Sequence, residues 1–343
     1  MIRPFRLGDI FLLQRLGGQA VTLNPMQSLL FPRPAVLTAL VAVIPGGDGK
    51  VSTYVLIQEG HRLVRAGFLQ AQKRVGRPEA DILFLAPALD DSAGHPVIWK
   101  KLLNHYAQEA AQQQIERIYA DAPDQPLPVS TFAQVGFKVY ARQTIWRLVH
   151  YPGQRPLTDA EASIRLQLPA DNWGLAQLYR RMTPAAVRLA QGEETDEGEQ
   201  SPILRCARLN GCLSFVMERQ GEIVGCVQIR NGRRGVWLDL WADMLDPKQD
   251  VIRALLNQAL VVVREQSMRL PVYIGVCDYH GGLGSVLEEY GFAPFTDRAR
   301  MVKAVKQWVR DPALAFTPAL TGVGEVIPTQ FVIPEEQYLQ PGS

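Results

Sequence analysis

Asp239, Trp241 and Asp243 alternate along a stretch whose pattern predicts a strand over 235–245, so the three side chains share one strand face. If that face lines a ligand site, Asp243 is the candidate general base, taking a proton directly or through water. If it meets solvent, the three are ordinary polar positions. His280 follows Asp278 and Tyr279 at the end of a second predicted strand, 272–277. A neutral imidazole there could deprotonate an ammonium group, although a loop histidine beside a helix start is the plainer reading. Gly281, Gly282 and Gly284 would let a ligand approach the backbone, with Gly282 the candidate contact, or would simply form a strand-to-helix turn. The five histidines are scattered, and Cys206, Cys212, Cys226 and Cys277 form no C-x-x-C pair, so no metal set is expected. Spacing alone supports no Ser-His-Asp arrangement.

The elements that must position these residues recur. After the Asp246-Pro247 bend, Val251, Ile252, Leu255, Leu256, Ala259, Leu260 and Val263 give a helix one apolar face, with Asp250 as a natural N-cap. Earlier, a predicted strand over 81–86 leads through Pro87 to a helix near Val97 carrying Trp99, Leu102, Leu103, Tyr106, Ala107 and Ala110 at the same spacing. Leu85-Ala86-Pro87 answers Leu245-Asp246-Pro247, and Leu102-Leu103-Asn104 answers Leu255-Leu256-Asn257. The chain therefore reads as two copies of one module, 1–150 and 163–308, with a polar linker at 151–162 and a Pro-rich tail at 309–343.

The first copy is predicted as a strand over 2–7, a helix from Asp9 carrying Leu12, Leu13 and Leu16, and a helix over 33–44. Strands at 53–58, 62–72 and 81–86 follow, then the Trp99 helix, a strand at 115–121, a short helix ending at Gly136-Phe137, and a closing strand at 138–148. The second copy restarts at Ile164-Arg165, with Asp171 answering Asp9 and Leu175 and Leu178 answering Leu13 and Leu16. It continues through an acidic loop, strands at 213–219, 222–230, 235–245 and 272–277, and a short helix ending at Gly291-Phe292. Arg230, Arg233 and Arg234 flank a hairpin turn and read most plainly as solvated.

With 47% apolar and 20% charged residues in a chain of 343, each half can bury its own core. A net charge of +2 points away from nucleic acid and from an anionic membrane surface. The longest apolar run, 35–44, is too short to span a bilayer. The predicted first strand leaves no room for a leader, and Cys226 and Cys277 fall inside apolar strand patterns as buried thiols, so a reducing cytoplasmic setting is expected.

The order strand, helices, three antiparallel strands, helix, strand, helix, strand, found in both halves, carries a resemblance together with three local matches. Glu218-Arg219-Gln220-Gly221-Glu222-Ile223-Val224-Gly225 resembles the second-to-third strand hairpin of the GNAT acyltransferase superfamily, and Gly136-Phe137 and Gly291-Phe292 look like its Gly-Phe ending. Ile2-Arg3 and Ile164-Arg165, each with an Asp six residues after the Arg, resemble its opening. The resemblance implies an α+β fold of two tandem GNAT-like (acyl-CoA N-acyltransferase) domains, each a mixed, mostly antiparallel central sheet flanked by helices. It implies acetyl-CoA as acyl donor and a small-molecule amine as acceptor. It also implies a pantetheine arm held in a V-shaped gap by backbone around Met244 and Leu245, or around Leu85 and Ala86.

The superfamily's [QR]-x-x-G-x-[GA] pyrophosphate grip is absent from both copies. After Pro247 only Lys248-Gln249 precede Asp250, while the longer loop 88–96 offers Gly94 as a candidate contact. Arg15-Leu16-Gly17-Gly18-Gln19-Ala20 spells the motif in the wrong place. The usual acid position, four before the Gly of Gly-Phe, holds Phe132 and Leu287, leaving Tyr290 as a substitute only if the short helix is rotated. The alternative is a degenerate tandem module that binds a ligand or protein partner without catalysis. Whether two chains pair as a homodimer is left open.

Overall fold

The structure, a computed structural model, describes residues 1–43, 51–58, 65–151, 163–192, 201–206, 211–242 and 249–305. Met1–Gln307 forms one compact unit, and the Pro-rich tail expected at 309–343 lies outside the described residues. The first lobe runs β1 (Ile2–Pro4), α1 (Ile10–Gly17), β2 (Val21–Thr22), α2 (Pro25–Leu30), α3 (Ala35–Val43), β3 (Val51–Gln58), β4 (Arg65–Lys73), β5 (Glu79–Ala86), α4 (Pro96–Gln112), β6 (Arg117–Pro123), α5 (Pro126–Ala133) and β7 (Lys138–Leu148). The second runs β8 (Ile164–Leu166), α6 (Asn172–Met182), α7 (Ala185–Ala190), α8 (Pro202–Arg205), β9 (Cys212–Arg219), β10 (Glu222–Asn231), β11 (Val236–Ala242), α9 (Asp250–Glu265), β12 (Val272–Cys277), α10 (Leu283–Glu289) and β13 (Ala293–Ala304).

The repeated Arg and Asp become a repeated clasp. Arg3 grips Asp9 with both terminal nitrogens at 2.6 and 2.7 Å, and Arg165 grips Asp171 at 2.7 and 2.8 Å. The same carboxylates accept the backbone N–H of Arg6 (2.8 Å) and Leu168 (2.7 Å), so each pins a first strand to the turn that launches the first helix. A second repeat lies under the long helices. Gly67 and Gly225 sit where a Cβ would meet Ile98 (2.5 Å) and Leu255 (2.6 Å), letting α4 and α9 press onto β4 and β10. Three residues on, the buried amides of Gln70 and Gln228 donate to the carbonyls of Ala35 (2.7 Å) and Ile203 (2.5 Å).

Strand pairing does not respect the two copies. The sheet order is β1-β3-β4-β5-β6-β13-β7-β12-β11-β10-β9-β8. The strand expected to close the first module, β7, pairs with β12 of the second, and β13 crosses over to pair with β6 of the first. The two exchanged strands pair with each other, and they carry core residues across: Trp146 and Leu148 pack in the second lobe, Ala299 and Met301 in the first. One continuous sheet results.

Other differences are local. The helix expected over 33–44 is Ala35–Val43, and α2, capped by the Asn24 side chain on Gln27 N–H at 3.1 Å, precedes it unforeseen. Asp250, expected as N-cap, is the first helical residue; Gln249 takes the cap position at φ 53°. Cys206 and Cys212 are paired, Cα atoms 5.7 Å apart, where reduced cysteines were expected, whereas Cys226 and Cys277 are free and buried. Among the described residues no helix is long and apolar enough to cross a membrane, and no cluster of His, Cys, Asp and Glu could hold a metal ion.

Candidate functional site

In each lobe two central strands run parallel for three residues and then part. In the first lobe the pairs are Glu79 with Arg117, Ala80 with Ile118 and Asp81 with Tyr119. The gap beyond them is filled by the chain itself. β2 pairs antiparallel with β5, Val21 opposite Leu85 and Thr22 opposite Phe84. Leu23 N–H donates to Leu83 O (2.8 Å), Ala88 N–H to Gln19 O (2.7 Å), and Asp121 N–H to Leu23 O (2.9 Å), so the segment bridges both edges. Leu23 itself is buried in the lobe's core. Leu85 and Ala86, expected to hold pantetheine, are fully buried and the edge at Leu85 is already paired; that expectation does not hold for the first lobe.

The loop after β5 is closed too. Asp91 accepts Ala93 N–H at 2.8 Å, Gly94 N–H donates to Asp91 O at 2.8 Å, and His95 Nδ1 caps Val97 N–H at 3.2 Å. Pro96 has no N–H to offer. Gly94 thus serves a tight turn in which a Cβ would strike the Ala88 carbonyl. This helix start has no row of free donors for a pyrophosphate.

In the second lobe the parallel pairs are Val236 with Val272, Trp237 with Tyr273 and Leu238 with Ile274. Beyond them Leu240–Ala242 pair only with β10, and Gly275–Cys277 only with β7. Among the described residues no segment bridges the two facing edges. Asp243, Met244 and Leu245 lie outside the described residues.

This open gap meets a cavity of about 720 Å³ at the junction of the lobes, lined by Leu240, Gly275 and Cys277 together with side chains of both halves. Asp239 and Trp241 line it, so that strand face points to the cavity rather than to solvent. Asp239 is held by Arg230 (2.7 Å) and the Trp237 indole N–H (2.9 Å), which also removes Arg230 from the solvated turn expected for it; Arg233 and Arg234 are exposed. Asp81 is forked by Arg74 at 2.8 and 2.6 Å, and Glu79 takes a third Arg74 donor at 2.8 Å.

At the floor, Arg300 from β13 stands opposite Asp121 from β6, its Nε 3.7 Å from the carboxylate. Its guanidinium lies 5.3 Å from the Tyr140 ring centre and reaches Cys277 Sγ at 3.8 Å. Burial raises Asp121 above the usual carboxylate range and pushes the Tyr140 hydroxyl up to about 12. His280 also lines the cavity, stacked edge-on to Tyr279 at 4.5 Å. Burial, helped by Arg300, pushes its imidazole down to about 4, so it is neutral near pH 7 and a weak base.

The structure therefore brings His280 to the cavity. It seats Tyr290 in the second lobe's core, its hydroxyl donating to Arg253 O at 3.1 Å and absent from the cavity lining. Gly282 caps α10 at φ +80°, against the Gln249 side chain. Phe132 and Leu287 are fully buried apolar residues. Asp121, Tyr140 and Arg300 were missed by sequence reasoning; they meet only because β13 pairs with both β6 and β7, which leaves no local signal in the sequence.

No protein-family model matches the sequence, and no curated protein does. Solved structures do match in fold. A GCN5-related N-acetyltransferase from Sphaerobacter thermophilus superposes with a TM-score of 0.52 at 11% identity, over 90% of this chain and 96% of that one. A tandem GNAT protein from the clavulanic acid biosynthesis pathway, solved without AcCoA, gives 0.49 at 16% identity over 90% and 99%. A putative acetyltransferase from Pyrococcus horikoshii gives 0.44 at 14% identity over 89% of each. The chain has the fold of the GCN5-related N-acetyltransferases, doubled in tandem.

Proposed function

We propose that the protein is an acyl-CoA-dependent N-acyltransferase whose second lobe holds the donor's pantetheine arm and whose central cavity holds a small amine. The observation that carries this reading is the contrast between the two gaps. In the first lobe an extended peptide, 19–23, occupies the gap through backbone hydrogen bonds to its edges. Pantetheine is likewise an extended, amide-bearing arm. In the second lobe no segment among the described residues bridges the same edges, Leu240–Ala242 and Gly275–Cys277, which border the cavity.

The chemistry needs few groups. The amine nitrogen bonds to the thioester carbonyl carbon, the C–S bond breaks, and the thiolate leaves. One proton of the incoming ammonium goes to Asp121, whose carboxylate burial makes more basic. Tyr140, kept protonated and one of the hydroxyls lining the cavity, gives a proton to the leaving thiolate and regains one from the acylated nitrogen. His280 serves as a neutral wall rather than as the base.

Acetyl-CoA and CoA should each raise the melting temperature of the intact protein, because a ligand bound only by the folded state stabilises it, by about 2.7 kcal/mol at a hundredfold excess over Kd. An unchanged melting temperature at millimolar excess overturns the reading. A second reading, a non-catalytic ligand-binding module, is favoured by Phe132 and Leu287 standing where the superfamily's acid is expected. It predicts the same shift in melting with no release of free thiol from acetyl-CoA by any amine.

A further inference from the structure

The three carboxylates that line the central cavity are not equivalent. Asp81 is forked by Arg74, and Asp239 is closed by Arg230 and Trp237. Asp121 has a single ion pair among the described residues, to Arg300 Nε at 3.7 Å, beyond hydrogen-bond reach. Arg300 is equally under-used: its contacts are the Tyr140 ring and the sulfur of Cys277, a weak acceptor at 3.8 Å. Arg300 Nε is buried with no hydrogen-bond partner, and so is Nδ1 of His280, a residue only 8% exposed.

Asp121 and Arg300 are directly opposed on neighbouring strands and form an ion pair with no hydrogen bond between them. Nε stands 3.7 Å from the carboxylate while the guanidinium also faces the Tyr140 ring and Cys277. The two side chains are each 25% exposed, so a ligand in the cavity can reach them, while the buried Arg300 Nε and His280 Nδ1 are costly unless something completes them.

We propose that this open pair is the anchor for a small zwitterion, an α-amino acid or close analogue, with its ammonium on Asp121 and its carboxylate on Arg300. The site deepens the acyltransferase reading by naming the acceptor class, though amino-acid binding itself does not depend on that reading. An adjacent ammonium and carboxylate supply a donor to Asp121 and a planar acceptor to the guanidinium, both charge-assisted. A simple amine would leave Arg300 unmatched in a cavity whose lining holds six Lys and Arg against three Asp. A simple acid would set its carboxylate against Asp121. Tyr140, Trp237 and Trp241 leave aromatic wall for a side chain.

The test uses the full chain without any CoA compound. The common L-amino acids are added one at a time in millimolar excess while melting is followed. The best binder is then compared by calorimetry with its decarboxylated amine and its deaminated acid. At least one amino acid should raise the melting temperature, and both analogues should bind roughly tenfold or more weakly, since each loses a charged hydrogen bond. Asp121→Asn and Arg300→Lys should weaken the amino acid by a similar factor. No shift with any amino acid, or an analogue binding as well as its parent, overturns the proposal. If a variant fails to fold, the analogue comparison on the unaltered protein decides. Because the donor is absent, failure here leaves the acyl-CoA reading standing, and failure of that reading leaves this site standing.

Discussion

His280 shows how burial fixes the role of one side chain. Its imidazole titrates near 4 in the folded protein against 6.5 when unfolded, because burial and the Arg300 charge disfavour the cation. Above pH 6.5 both states hold neutral imidazole and His280 adds no pH dependence. As pH falls from about 6.5 to about 4 the unfolded chain takes up the proton first, so stability drops by up to about 3 kcal/mol. Urea midpoints measured across that window should fall with acid, and His280→Gln should flatten that part of the curve. An equally steep curve in the variant would assign the loss to other groups. His280 could be singled out from its place at a strand end, but Asp121, Tyr140 and Arg300 could not. Their meeting depends on β13 lying between β6 and β7, a pairing between residues far apart in sequence that no local periodicity records.

At the scale of elements, the decisive feature is the shortest strand. Val21-Thr22 is too brief for a pattern reading to detect, and it follows the Arg15–Ala20 stretch that mimics a phosphate motif. Leu23→Ala should cost about 2–5 kcal/mol, as expected for a leucine 1% exposed in a packed core, measured by denaturant unfolding. A cost below 1 kcal/mol would mean that the segment is only loosely seated. Other repeated elements were legible. The Arg–Asp clasps read directly from Arg3, Asp9, Arg165 and Asp171. A further repeat, Gly67-x-x-Gln70 against Gly225-x-x-Gln228, stood in the sequence as well and marks the strand beneath each long helix. Gly67→Ala would drive a Cβ to 2.7 Å from the Ala86 carbonyl, a backbone atom that cannot turn aside. We expect a loss of about 1–3 kcal/mol in the unfolding free energy, and an unchanged value would contradict that close approach.

Across the whole molecule, exchange of β7 and β13 makes the two copies interdependent. Each lobe takes core residues from the other's last strand, Trp146 and Leu148 in one direction and Ala299 and Met301 in the other. Halves cut within 152–162 and co-expressed should therefore copurify as one folded complex, whereas either half alone should expose apolar edges and aggregate. Two separately soluble, folded halves would contradict the exchange. Among the described residues the same architecture leaves the second lobe's gap open and the first lobe's filled, a contrast that hydrogen–deuterium exchange can address in a single experiment. On addition of acetyl-CoA, amides in Leu240–Ala242 and Gly275–Cys277 should gain protection while those of 19–23 and 83–86 stay unchanged. Protection confined to the first lobe, or none in either, would contradict a donor site in the second.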